Sequence, residues 1–143
     1  VLFESLAINL HIAAKAGAPL MPAGDDASRV MQWTLWTGTE VEAHVMRWGY
    51  NTYLKPAAER DAAEAAAGKE ALDLRLAVLE RELAQRPFLI GTGFTVADLN
   101  LACVLYAPWS SGYDLALFPK VKAWLDTCLT RPAALRARKL REG

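Results

Sequence analysis

The stretch from Phe94 to Val104 constrains the fold of this 143-residue chain more than any other part of it. Thr95 and Asp98 stand at the spacing of a reciprocal N-terminal capping box, and Phe94 and Leu99 stand at the positions of a hydrophobic staple. The run that follows reads as apolar on every side of a helix, which predicts a buried helix. Because its first N–H groups then need partners within the protein, we interpret Asp98 as a buried structural carboxylate.

The rest of the chain has the periodicity of helices and not of strands. The central helix is expected to start at Thr95 and to end near Pro108. The other expected helices span 5–15, 25–54, 57 or 69 to 85, 119–129 and 132–135. The glycines and prolines of 17–26 indicate a linker, and the basic run 136–141 is interpreted as a solvated tail. The prediction is an all-α bundle around one central buried helix.

Composition excludes several classes of function. Sixteen basic residues balance sixteen acidic ones, which argues against a nucleic-acid binder that must neutralise phosphates. No apolar run approaches the ~20 residues that cross a bilayer, and no signal peptide opens the chain. We therefore expect no membrane or nucleic-acid partner and a cytoplasmic location.

The cysteines and histidines do not form an obvious site. Cys103 and Cys128 lie in apolar helical patterns and are interpreted as small core residues in a reducing compartment. A disulfide or a reactive thiol is the alternative. His11 and His44 are far apart and have no ligand set at metal spacing, so no metal site is predicted.

Several motifs, in order along the chain, resemble the C-terminal domain of cytosolic glutathione transferases. Pro87-Phe88-Leu89-Ile90-Gly91, then Phe94-Thr95-x-x-Asp98 and an apolar helix, are similar to the start of that family's buried helix. Phe118-Pro119-x-Val121-x-x-Trp124 and Arg131-Pro132-Ala133 resemble its next helix and turn. Thr127 stands where the family often has arginine.

The beginning of the chain extends this resemblance. Glu4-Ser5-Leu6-Ala7-Ile8 is similar to the last strand and third helix of the family's thioredoxin-like domain. The resemblance implies that residues 1–20 are a strand end, helix and linker left from that domain, and that 21–143 are the all-α C-terminal domain. It also implies that most of the thioredoxin-like domain precedes Val1.

The resemblance assigns Glu4 and Ser5 to binding of glutathione, the co-substrate. Ser5 lies at a helix N-terminus, where free N–H groups attract an anion, and Glu4 could pair with the adjacent ammonium. The alternative is that Ser5 is an ordinary N-cap and Glu4 a favourable first-turn charge. The Ser, Tyr or Cys that activates the glutathione sulfur in the family has no match in this chain, so no catalytic residue is named.

Four residues are candidates for the electrophile pocket by their positions in the family. Trp36 and Glu40 lie on the long second helix, and Tyr106 and Trp109 lie at the end of the central one. Aromatic walls suit flat apolar substrates. The alternative is that these aromatic side chains belong to the core.

The resemblance implies an enzyme that conjugates or reduces small hydrophobic electrophiles with glutathione, in detoxification, as a cytoplasmic homodimer. This holds for the intact protein, and the 143-residue chain alone is expected to be inactive. The alternative is a non-catalytic protein-interaction module, as in translation factors and synthetase-associated proteins. A stand-alone ligand-binding bundle is a third interpretation.

Overall fold

The predicted all-α architecture is confirmed by a computed structural model that describes residues 1–142. Within that range there is no β-strand, and Phe88 and Gly91 form an isolated bridge. The α-helices are α1 (Ser5–Ala16), α2 (Asp25–Trp36), α3 (Glu42–Gly49), α4 (Ala62–Leu83), α5 (Val96–Val104), α6 (Tyr106–Ser110), α7 (Pro119–Leu129) and α8 (Pro132–Glu142).

The long second helix is present over its predicted length but changes its winding twice. Between α2 and α3, Thr37–Val41 is a π-helical segment, and a second one, Tyr50–Leu54, follows α3. Gly38 lies inside the first segment and Gly49 directly precedes the second. Glycine has a low helix propensity, and the altered winding therefore occurs where the α-helix is weakest.

The start of α4, for which the sequence allows two positions, is fixed by an N-cap. The Asp61 carboxylate accepts hydrogen bonds from the N–H groups of Ala63 and Glu64 at 2.8 and 3.1 Å. A short 3₁₀ turn, Ala57–Glu59, precedes it. Further along α4, Gly68 crosses α3 so closely that a Cβ there would lie 2.7 Å from the backbone nitrogen of Trp48.

The core lies where α4, α5 and α7 meet. Its fully buried side chains are mainly leucines, namely Leu72, Leu76, Leu79, Leu89, Leu101, Leu105 and Leu125. The Glu80 carboxylate of α4 accepts hydrogen bonds from the backbone N–H groups of Lys120 and Val121 at 2.9–3.0 Å. Glu80 thereby caps the free N-terminus of α7 and joins it to α4.

Asp98 lies at the centre of the polar interactions in this core and is 0% exposed. Both halves of the capping box with Thr95 are present, and Asp98 Oδ2 accepts from the backbone N–H and the hydroxyl of Thr95 at 2.9 and 3.0 Å. Asp98 Oδ1 accepts from the Leu89 N–H at 3.0 Å and from the Trp124 indole at 2.9 Å. One carboxylate therefore joins the preceding loop, α5 and α7.

The central helix differs from its prediction in three respects. It ends at Val104, and Pro108 lies within α6 rather than at the end of α5, because proline is tolerated in the first turn of a helix. It is not apolar on every side, since Asn100 is completely buried in it. Cys103, which we expected in the core, is exposed.

The C-terminal end of the chain also differs from expectation. The last helix was predicted to stop at 135, but α8 continues to Glu142 through the basic run. Residues 1–4 are exposed and precede the first helix, and their assignment as a strand end stays a prediction. The division into residues 1–20 and 21–143 stays a prediction.

Replacing Asp98 by alanine is expected to lower the free energy of unfolding by about 3 kcal/mol or more. The substitution leaves the buried N–H groups of Leu89, Thr95 and Trp124 without their acceptor, and a buried unsatisfied donor costs about 1–3 kcal/mol. Urea unfolding followed by circular dichroism measures the loss.

Asp126→Ala is the matched control for Asp98→Ala. Asp126 also accepts an indole N–H, from Trp109 at 2.8 Å, but its side chain is 43% exposed. Water can replace that acceptor, so we expect a loss below about 1 kcal/mol. Equal losses for the two variants would contradict the structural role assigned to Asp98.

Candidate functional site

The N-terminus of α1 has an unusual backbone. Glu4 has φ 71° and ψ 114°, and it is the sole non-glycine residue with positive φ among residues 1–142. Such conformations are uncommon outside glycine, and this ψ lies beyond the left-handed helical region that Asn and Asp adopt. The backbone at Glu4 is therefore strained.

The first turn of α1 is open to a ligand. Glu4 occupies the N-cap position and Ser5 is the first helical residue, so Ser5 is not the N-cap. No side chain caps this helix end, and both Glu4 and Ser5 are exposed. The first N–H groups of a helix have no intrahelical acceptor and carry a partial positive charge. The site can accordingly accept a carboxylate.

A second candidate site is a cavity of about 320 Å³ between α5, the end of α7 and α8, which we call the α5–α8 cavity. Leu99, Cys103 and Tyr106 line it from one side. Leu99 and Cys103 are four residues apart on one face of α5, and Tyr106 is the first residue of α6. Ala134 and Ala137 of α8 line it from the other side. The volume of the α5–α8 cavity is within the size range of ligand pockets.

Arginine side chains lie over the aromatic rings of this cavity. The Arg131 guanidinium lies 3.6 Å from the centroid of the Phe94 ring, and those of Arg138 and Arg141 lie 5.8 Å from that of Tyr106. Such cation–π contacts are favourable. Arg138 also donates to the Leu129 carbonyl at 3.0 Å. Arg138 and Arg141 therefore form part of the cavity wall, whereas Arg136 and Lys139 of the same run are exposed, so the interpretation as a solvated tail holds only in part.

The four predicted electrophile-pocket residues are not brought together. Tyr106 lines the α5–α8 cavity. The Trp109 ring packs against the Tyr106 ring, with their centroids 6.0 Å apart. Trp36 instead makes an edge contact with Trp33 at 5.2 Å. Glu40 forms an ion pair with Arg75 of α4 at 2.9 Å. Their assignment to one electrophile pocket stays a prediction.

Most residues of the α5–α8 cavity were absent from the sequence-based substrate candidates, Phe94 and Arg138 among them. Phe94 was interpreted as a staple residue alone, and Arg138 was placed in a tail. The signal that could have identified Arg138 is its spacing from Ala134, since residues four apart share a helix face. A pattern of small and basic residues on one face of a terminal helix would have predicted a helix that packs.

The pKa values of the two cysteines that line the cavity are raised above that of a free thiol. Both cysteines are free and both line the cavity. Cys103 is exposed at the cavity surface, but the protein atoms around its sulfur displace water and raise its pKa, and burial together with the nearby Asp98 charge raises the pKa of Cys128. A raised pKa favours the thiol over the reactive thiolate.

Two other features are absent from residues 1–142. No group of three or more His, Cys, Asp or Glu side chains is placed to hold a metal ion. No helix in that range combines the length and the hydropathy that crossing a bilayer requires.

Comparison with known sequences identifies the family. A family model for the glutathione S-transferase C-terminal domain matches residues 41–132. Glutathione S-transferase 3 of Zea mays is 34% identical over 93% of this chain and 64% of its own length. Disulfide-bond oxidoreductase YfcG of Escherichia coli is 32% identical over 95% of this chain and 62% of its own length. Elongation factor 1-gamma of Prunus avium is 30% identical over 92% of this chain and 32% of its own length.

Solved structures agree with this match. The theta-class glutathione S-transferase of Xanthomonas axonopodis with glutathione bound has a TM-score of 0.86 and 30% identity, over 94% of this chain and 72% of that one. A sphingomonad glutathione S-transferase complexed with glutathione has a TM-score of 0.81 and 30% identity, over 97% and 67%. The chain spans less than two thirds of the first two curated relatives. By sequence and fold, it belongs to the glutathione S-transferase C-terminal domain family.

Proposed function

We propose that this domain belongs to a glutathione transferase that, when intact, conjugates or reduces small hydrophobic electrophiles with glutathione. The observation that carries the proposal is the strained Glu4 at the open N-terminus of α1. Backbone strain of this kind costs about 1–3 kcal/mol and tends to persist at functional sites. An ordinary helix start needs no such conformation, because preferred N-caps have extended φ/ψ and a short capping side chain.

The chemistry of the site suits the γ-glutamyl end of glutathione. The free N–H groups of the first turn and the Ser5 hydroxyl would donate to its carboxylate, and the helix dipole favours that charge. The Glu4 carboxylate would pair with the adjacent ammonium. Both side chains are exposed and able to reach a ligand. Activation of the sulfur would come from a Ser, Tyr or Cys of the thioredoxin-like domain, as the family resemblance implies.

The relatives support this proposal. Two 30%-identical structural neighbours are glutathione S-transferases with glutathione bound. Exposed apolar side chains on α2 and α4, namely Met31, Leu35 and Leu74, favour a surface that is covered in the intact protein. A cytoplasmic homodimer that contacts its partner through the second and third predicted helices would cover it.

A protein-interaction module is the second candidate function. It is favoured by the match to elongation factor 1-gamma over 92% of this chain. A protein-interaction module does not require a site that binds a carboxylate at the first turn of α1. Glutathione binding at Ser5 therefore discriminates between the transferase and the interaction module.

Glutathione is expected to bind weakly to this chain at the first turn of α1. Titration followed by ¹H–¹⁵N NMR should shift the amide signals of Ser5, Leu6 and Ala7. Ser5→Ala should lower the affinity about tenfold, because a hydrogen bond to a charged group contributes about 1.5–3 kcal/mol. Ser28→Ala changes an exposed serine in the first turn of α2 and should leave the affinity unchanged. Absence of shifts at these amides would favour the interaction module.

Tyr106→Ala in the intact enzyme is expected to change the order of kcat/KM among several electrophiles. The tyrosine ring lines the α5–α8 cavity, and its removal takes away an aromatic surface for flat substrates. Tyr50→Ala is the control, since Tyr50 is 46% exposed and does not line that cavity. Identical electrophile preferences in the two variants would remove Tyr106 from the substrate site.

A further inference from the structure

A chain of polar side chains crosses the otherwise apolar interior between α1, α5 and α2. Asn9 Nδ2 donates to Asn100 Oδ1 at 2.8 Å, and Asn100 Nδ2 donates to Thr34 Oγ1 at 3.2 Å. Asn100 is 0% exposed and Thr34 is 4% exposed. The Asn100 amide thus has both its oxygen and its nitrogen paired, each with a different helix.

This polar chain is a hydrogen-bonded side-chain link of α1 to the central helix. Among residues 5–16, Ala13 alone is fully buried and Leu10 packs partly exposed against the core, so few apolar side chains attach α1. Ala13 has no long side chain that could fix the rotation of the helix. The Asn9–Asn100 hydrogen bond lies slightly more than one turn from Ser5, and its direction is set by the pairing of Asn100 with Thr34.

We propose that Asn100 is a positioning residue that fixes the register of α1 on the bundle and thereby places the Glu4–Ser5 site. The inference rests on the proposed function, in which that site binds the γ-glutamyl carboxylate. A hydrogen bond requires a defined direction, whereas an apolar contact would tolerate rotation or sliding of α1. Single buried asparagines specify register in other helix pairs.

Stability alone does not explain this arrangement. Replacing both partners of a buried hydrogen bond by apolar groups of similar shape is often neutral or stabilising. Two leucines could therefore hold α1 on α5 equally well, but without a defined register. This difference separates a positioning role from that of a satisfied core amide.

The experiment compares the unchanged chain with the double variant Asn9→Leu/Asn100→Leu. The unfolding midpoint should stay close to that of the unchanged chain, while the affinity for glutathione, measured at the Ser5 amide, should fall about tenfold. The register has its own readout, because Leu6 Cδ1 lies 3.4 Å from where a Cβ on Gly38 would be. The nuclear Overhauser contact between Leu6 and Gly38 should weaken or disappear.

Thr34 provides a milder pair of variants that keeps the bundle intact if the double variant unfolds. Thr34→Val removes the acceptor hydroxyl with little change of shape, and it should weaken the Leu6–Gly38 contact and the affinity. Thr34→Ser keeps the hydroxyl and should restore both. If Thr34→Val and Thr34→Ser gave the same Leu6–Gly38 contact and the same affinity for glutathione, the proposal would be overturned.

The remaining outcomes separate the inference from the proposed function. A folded double variant with unchanged contact and affinity would overturn the positioning role. A lost contact with unchanged affinity would also overturn it, since the site would not depend on register. If the unchanged chain gives no glutathione response, the proposed function fails, while the Leu6–Gly38 contact still tests whether Asn100 holds α1.

Discussion

The buried carboxylate of Asp98 is the interaction that holds the bundle together. Its two oxygens accept four hydrogen bonds, from the loop before α5, from the start of α5 and from α7. A buried helix N-terminus leaves free donors that water cannot reach, and a carboxylate that is fully hydrogen-bonded satisfies them at once. With α5 fixed in this way, Asn100 in its middle meets Asn9 of α1, and Tyr106, which follows its C-terminal end, lines the α5–α8 cavity.

Much of this fold follows from local rules in the sequence. The spacing of Thr95 and Asp98 predicts the buried start of α5, and the helical periodicity predicts the long run to Leu54. The family resemblance places Glu4 and Ser5 at the start of α1. These predictions succeed because capping, periodicity and proline or glycine signals act between residues a few positions apart.

The features that sequence patterns missed depend on contacts between distant residues. The Trp124 indole that donates to Asp98 is 26 residues away, and no spacing rule connects the two. Asn100 was overlooked because the residues around it are apolar, and its role is visible only once Asn9 and Thr34 are brought beside it. The length of α8 was underestimated because arginines suggest solvent, although the guanidinium groups of Arg138 and Arg141 lie over the Tyr106 ring. The positive φ of Glu4 could not be predicted from its residue type, because glutamate rarely adopts such a conformation.

The proposed function depends on a bundle that holds the Glu4 backbone in a strained form at an open helix N-terminus. Hydrogen exchange of the Ile8 and Asn9 amides in Glu4→Gly and Glu4→Ala reports on this strain, because both variants lose the side chain and only glycine adopts positive φ without strain. We expect slower exchange in the glycine variant, by about fivefold for 1 kcal/mol of relieved strain. Equal exchange, or faster exchange in the glycine variant, would show that the Glu4 backbone stores no strain.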